Sequence, residues 1–90
     1  MQVILPRKVD KYLIKQRMGD PRGIDRVAQF IEQYLATAEN PTLLPNCKKM
    51  QDTDNKWRWR VGDYRIIAEV RSQELVIQVI KIAHRQEAYD

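Results

Sequence analysis

The spacing of apolar residues changes period once along this chain, near residue 56, and that change limits the fold more than any other feature. Ile24, Val27, Ala28, Ile31, Leu35 and Ala38 recur at three- and four-residue steps and leave Asp25, Arg26, Gln29, Glu32 and Gln33 for solvent, which is one face of an amphipathic helix. From Trp57 onward the period is two. WRWRV, a Gly62-Asp63 pair and YRIIAEV read as a β-hairpin, because Gly-Asp suits the two-residue turns whose twist matches that of the strands. A chain that helps itself to both periods in separate blocks is expected to fold as helices laid on a sheet.

The flanking segments complete the pattern. Val3 to Leu5, stopped by Pro6, reads as a short first or edge strand. Arg7 to Met18, with Val9, Tyr12 and Leu13 apolar, reads as a first helix, with Gly19 placed for a left-handed C-terminal cap. Asp20-Pro21 then supplies an N-cap and a first-turn proline for the second helix, which Asn40-Pro41 ends. Residues 42–55 carry turn formers without periodicity and read as a loop, with Leu43 and Leu44 tucked against the core. After a turn at Ser72-Gln73-Glu74, LVIQVIKIA is apolar at nearly every position, as in a strand covered on both faces or placed centrally. The expected architecture is α+β: a two-helix hairpin packed on one face of a small, largely antiparallel four-stranded sheet, in the order β-α-α-β-β-β, as one domain over residues 1–90.

Composition narrows the function classes. At 90 residues a second domain is not available. With 43% hydrophobic and 31% charged residues the chain is expected to bury a core rather than stay disordered. The single Cys47 allows no internal disulfide, and no Cys or His pairing has ligand spacing, so neither a metal nor another cofactor is expected. The N-terminal apolar run is too short for a signal peptide and nothing approaches a membrane span, so a reduced, cytoplasmic setting is the natural reading. Sixteen Lys and Arg against twelve acidic residues favour a polyanionic partner without specifying one.

A two-residue turn at Gly62-Asp63 sets Val61 opposite Tyr64, Arg60 opposite Arg65, Trp59 opposite Ile66 and Arg58 opposite Ile67. Alternation then gives one face to Trp57, Trp59, Val61, Tyr64, Ile66, Ala68 and Val70, and the other to Arg58, Arg60, Arg65, Glu69 and Arg71. Two arginines directly opposed on a sheet repel each other unless an anion sits between them, which points to an anion site; the plainer reading is a solvated strand face blunted by basic residues. The tryptophans, sharing their face with Val61 and Ile66, fit core packing better than base stacking. The last strand leaves its register open. Gln78 and Lys81 stand three apart and share a face only with a bulge; a three-residue turn would put Lys81 beside Arg65, a two-residue turn Gln78 beside Glu69.

WRWRVGDYRIIAEV, the hydrophobic strand after it and HRQEAY together resemble the C-terminal half of the RelE/ParE superfamily of toxins from bacterial toxin-antitoxin systems. Length and element order are similar throughout, while residues 57–70 and 84–89 carry the specific likeness. The resemblance implies one of two activities on a common fold. The RelE branch, which this chain resembles more, cleaves messenger RNA without metal, usually in the ribosomal A site beside 16S rRNA, leaving a 2′,3′-cyclic phosphate and a 5′-hydroxyl. The ParE branch poisons DNA gyrase. A non-catalytic basic RNA-binding module is the third reading. As partners the resemblance implies a cognate antitoxin, then mRNA and ribosome, no membrane, and DNA only indirectly through the antitoxin complex.

Carried over residue by residue, the RelE-like site implies Arg58 and Arg60 on the first hairpin strand, Arg65 on the second, and Arg85 and Tyr89 in the tail. Arg65 has the planar fork that grips phosphate oxygens bidentately, and Arg85 would stabilise transition-state charge. Lys56 and Lys81 would add substrate contacts. Some RelE-like toxins have lysine where this chain has Arg58 and Arg60, and arginine releases no proton at working pH. Proton transfer therefore falls to Tyr89, or to His84 with Glu87 behind it; the residue type of Tyr89 suits an aromatic that packs the chain end equally well, and a lone His is as often structural.

Overall fold

The computed structural model describes residues 1–87. Its elements are β1 (Gln2–Ile4), α1 (Arg7–Gly19), α2 (Pro21–Phe30) with a π-helical extension (Ile31–Leu35), a 3-10 turn (Pro41–Leu43), β2 (Cys47–Lys49), β3 (Lys56–Val61), β4 (Tyr64–Arg71) and β5 (Val76–His84). The strands form one sheet in the order β1-β5-β4-β3-β2, with β1 parallel to β5 and the remaining pairs antiparallel.

Asp20 makes the helical hairpin. Its backbone N–H closes α1 on the carbonyl of Gln16 at 2.9 Å, and its carboxylate caps α2 by accepting from the N–H of Gly23 at 3.1 Å. A side chain at position 23 would run into that carboxylate, which is why glycine stands there. The expected left-handed cap at Gly19 is not used: Gly19 is the last helical residue, and the extended Asp20 (φ −147°) turns the chain instead.

Trp59, Tyr64, Ile66, Ile77, Val79 and Ile82 face Ile24, Val27, Ile31, Leu35 and Val9, and this interface is the core. Trp59 is wholly buried, and its indole N–H donates to the carbonyl of Pro41 at 3.0 Å, so the tryptophan both fills the core and pins the connection after the helices. Leu44 is half-buried as expected, but Leu43 is 78% exposed. Pro41 occupies the buried place, and Asn40 caps the 3-10 turn through the N–H of Thr42, which swings Leu43 outward.

Two features of the sheet go beyond the sequence reading. The segment read as loop contains β2, whose three residues pair with Trp57, Arg58 and Trp59, so the sheet has five strands rather than four. The hairpin register is the one expected from its turn, with Gly62 left-handed at φ 59°. On the other side of β4, Gln78 faces Glu69 and Val79 faces Ala68, but Lys81 faces Ile67: Ile80 is an extra residue in β5, a β-bulge. The bulge puts Gln78 and Lys81 on one face.

Candidate phosphate-binding cleft

Because the bulge shifts β5 by one residue, it decides which tail side chain reaches which face of the sheet. Continued without Ile80, the alternation from Gln78 would bring His84 to the arginine-bearing face. With it, His84 pairs with Tyr64 on the helix side, and the next residue, Arg85, goes to the arginines. The structure brings Arg60, Arg65 and Arg85 together around Gly62, Asp63 and Tyr64, where they line a cleft of about 170 Å³ at the hairpin turn.

Arg58 sits one step behind them on the same face. It is the one charged side chain buried among the described residues, at 9% exposure, and its guanidinium pKa is pushed down by burial and then by the nearby charges of Arg65 and Arg60. The cluster therefore holds cations close together on a rigid sheet, in a geometry that suits an anion. Arg85 is anchored at its root. Its backbone N–H donates to the carbonyl of Asp63 at 2.7 Å, while its guanidinium lies 3.7 Å from the Asp63 carboxylate, both side chains being well exposed. At that exposure the pair contributes little stability and leaves Arg85 able to turn toward a ligand.

The other expected residues lie elsewhere. The ring of His84 meets Tyr64 edge-on, with centroids 5.3 Å apart, and its Nδ1 accepts from the N–H of Gln86 at 3.2 Å, an arrangement that leaves Nε2 to carry the proton of the neutral ring. Glu87 accepts from the Tyr12 hydroxyl at 3.2 Å, also on the helix side. Neither lines the cleft. Lys56 begins β3 opposite Glu69, and Lys81 borders a groove between α1 and β5. Tyr89 lies outside the described residues.

Three contributors were not singled out from the sequence. Lys48 on β2 stands opposite Arg58 and, with Lys49, Met50 and Gln51, lines a second hollow of about 330 Å³ that reaches Arg58. The paired lysines were visible, but their place beside Arg58 needed β2. Asp63, read only as a turn residue, holds Arg85. Tyr12, read only as a helix apolar position, holds the tail root. Burial pushes the Tyr12 phenol up to about 12, so it stays protonated and able to donate across the physiological range. Among the described residues no group of three or more His, Cys, Asp or Glu is placed to hold a metal ion, and no helix is long and apolar enough to cross a membrane.

A mixed sheet with a helical hairpin packed on one face is the arrangement of the RelE/ParE superfamily of type II toxins, and solved structures match it in fold. The chain is similar to the toxin-antitoxin complex RelBE2 of Mycobacterium tuberculosis, at 19% identity, a TM-score of 0.72, and coverage of 93% of this chain and 96% of that one. It is similar to the archaeal RelE-RelB complex of Pyrococcus horikoshii, at 25% identity, a TM-score of 0.63 and 97% coverage of both chains. For the RelB-RelE antitoxin-toxin complex of Methanococcus jannaschii the identity is 22% and the TM-score 0.54, over 100% of this chain and 96% of that one. Within the superfamily, residues 7–89 match the profile of the ParE toxin of the type II toxin-antitoxin system parDE, and the chain belongs to that family. A search of the curated proteins found no match.

Proposed function

We propose that this toxin is a metal-independent endoribonuclease that cleaves mRNA, in the ribosomal A site, and so inhibits translation, with residues 1–90 acting as one domain. The observation that carries this reading is the convergence of Arg60, Arg65 and Arg85 on one cleft, with Arg58 behind them. A phosphodiester seated there would have its non-bridging oxygens gripped by Arg65 and Arg60, while Arg85 meets the charge that develops as the 2′-hydroxyl oxygen attacks phosphorus and the 5′-oxygen departs. Lys48, Lys56 and Lys81 would steer the flanking strand. The 2′-proton must go to a group other than arginine; the family resemblance gives that role to Tyr89, and His84 and Glu87 stand second to it because both are engaged on the helix side.

The partner that holds such a toxin inactive is a cognate antitoxin, as in the complexes named above, laying a helix or strand over the helices and sheet and masking the basic face. A second reading, a gyrase poison without nuclease activity, is favoured by the family match over residues 7–89, and makes the same arginines a docking surface for protein or DNA. The two separate cleanly. RNA from a translating extract should acquire new 5′-hydroxyl ends with the wild type and not with Arg65→Ala. Absence of such ends, together with inhibition of gyrase supercoiling that survives Arg65→Ala, would replace the first reading with the second.

A further inference from the structure

We infer that Tyr12, on the first helix, is a positioning residue that sets Arg85 at the cleft, an inference that rests on the cleft's reading as an RNA phosphate site. β1 covers β5 only from Val76 to Gln78, so the outer edge of β5 runs on past its strand partner toward the tail. At His84 an outward backbone N–H would otherwise need water, and the Tyr12 hydroxyl accepts it at 3.0 Å in a partly buried position. The same hydroxyl gives its proton to Glu87 Oε1 at 3.2 Å. One phenol thus grips the residue before Arg85 and the residue two after it, using its lone pair on one and its proton on the other.

On the opposite side the N–H of Arg85 is bound to the Asp63 carbonyl, and the N–H of Glu87 closes a turn onto the carbonyl of His84 at 2.8 Å. Arg85 is therefore the only link of this short stretch whose side chain is sent to the cleft while its backbone is fixed from both flanks. Without the Tyr12 hydroxyl, the root would be held from the sheet side alone, by the Asp63 carbonyl and the pairing of His84 with Tyr64, and the guanidinium would be displaced from the phosphate by the small distances to which transition-state contacts are sensitive. The ring of Tyr12 packs against the core and would be retained by phenylalanine, so the hydroxyl can be removed by itself.

The test compares full-length wild type, Tyr12→Phe, Arg85→Ala and the double variant for 5′-hydroxyl ends formed on mRNA in a translating extract, alongside amide hydrogen exchange of the free proteins. Tyr12→Phe should lower the maximal cleavage rate about tenfold to a hundredfold with the half-saturating concentration unchanged. The double variant should be no slower than Arg85→Ala, as expected of two changes acting through one group. Exchange at His84 and Arg85 should quicken in Tyr12→Phe. A cleavage rate equal to wild type, or a double variant that loses the product of the two single effects, overturns the inference. If the wild type makes no ends, the nuclease reading has failed by itself, and unchanged exchange at His84 and Arg85 is then the result that overturns the holding of Arg85 by Tyr12.

Discussion

The arginine-bearing face of the sheet has two ends made from the same residue type in opposite company. At the far end, Arg71 is closed by carboxylates: its Nε donates to Glu69 at 2.7 Å and Nη1 lies 3.7 Å from Glu74. At the turn end, Arg58, Arg60 and Arg65 crowd one another, and burial with like charge drives the Arg58 pKa down, whereas the carboxylates beside Arg71 drive its pKa up. Depth in the sheet and the charge of the neighbours separate them. A surface that needs only solubility is served by the far end; the turn end gathers like charge at a buried position, which is the feature the proposed phosphate site draws on.

Four measurements sharpen or break this contrast. Arg65→Ala should reduce mRNA cleavage by about a hundredfold to a thousandfold, the loss typical of one charge-stabilising donor, with Arg65→Lys restoring little because the fork is gone. Arg71→Ala should leave cleavage as it was; equal losses at the two ends would end the comparison. Arg58→Met should raise the stability to urea by about 1 kcal/mol, since it removes a buried charge from among like charges while keeping its volume. Arg71→Met should leave the urea midpoint where it is.

The far end offers its own control. Leu75, in the β4–β5 turn, is left-handed at φ 57° and 63% exposed, so Leu75→Gly should stabilise the fold by about 1 kcal/mol with cleavage unaffected. The smallest effect is that of sulfate, a probe of the proposed phosphate position, which should stabilise the wild type by about 0.4 kcal/mol at its dissociation constant. That gain should vanish in Arg60→Ala and persist in Arg71→Ala; persistence in both would place the anion elsewhere.

The β3–β4 hairpin was legible because its information is local. Glycine at the first turn position fixes a two-residue connection, the turn fixes the register, and alternation then assigns every side chain from Trp57 to Arg71 to a face. The helical hairpin was legible for the same reason, through Asp20-Pro21 and the spacing from Ile24 to Leu35. β2 was not, since three residues carry no period and the strand exists only because β3 offers an edge to pair with.

β5 shows where local information stops. Its residues are nearly all apolar, so either face suits them and the pattern has no preferred phase. The phase is set by packing: with Ile80 bulged out, Ile77, Val79 and Ile82 are all buried against the helices. That single extra residue sends Arg85 to the cleft and His84 to Tyr64 and Tyr12, so the charges of the site were readable along the chain while their company was decided by the core.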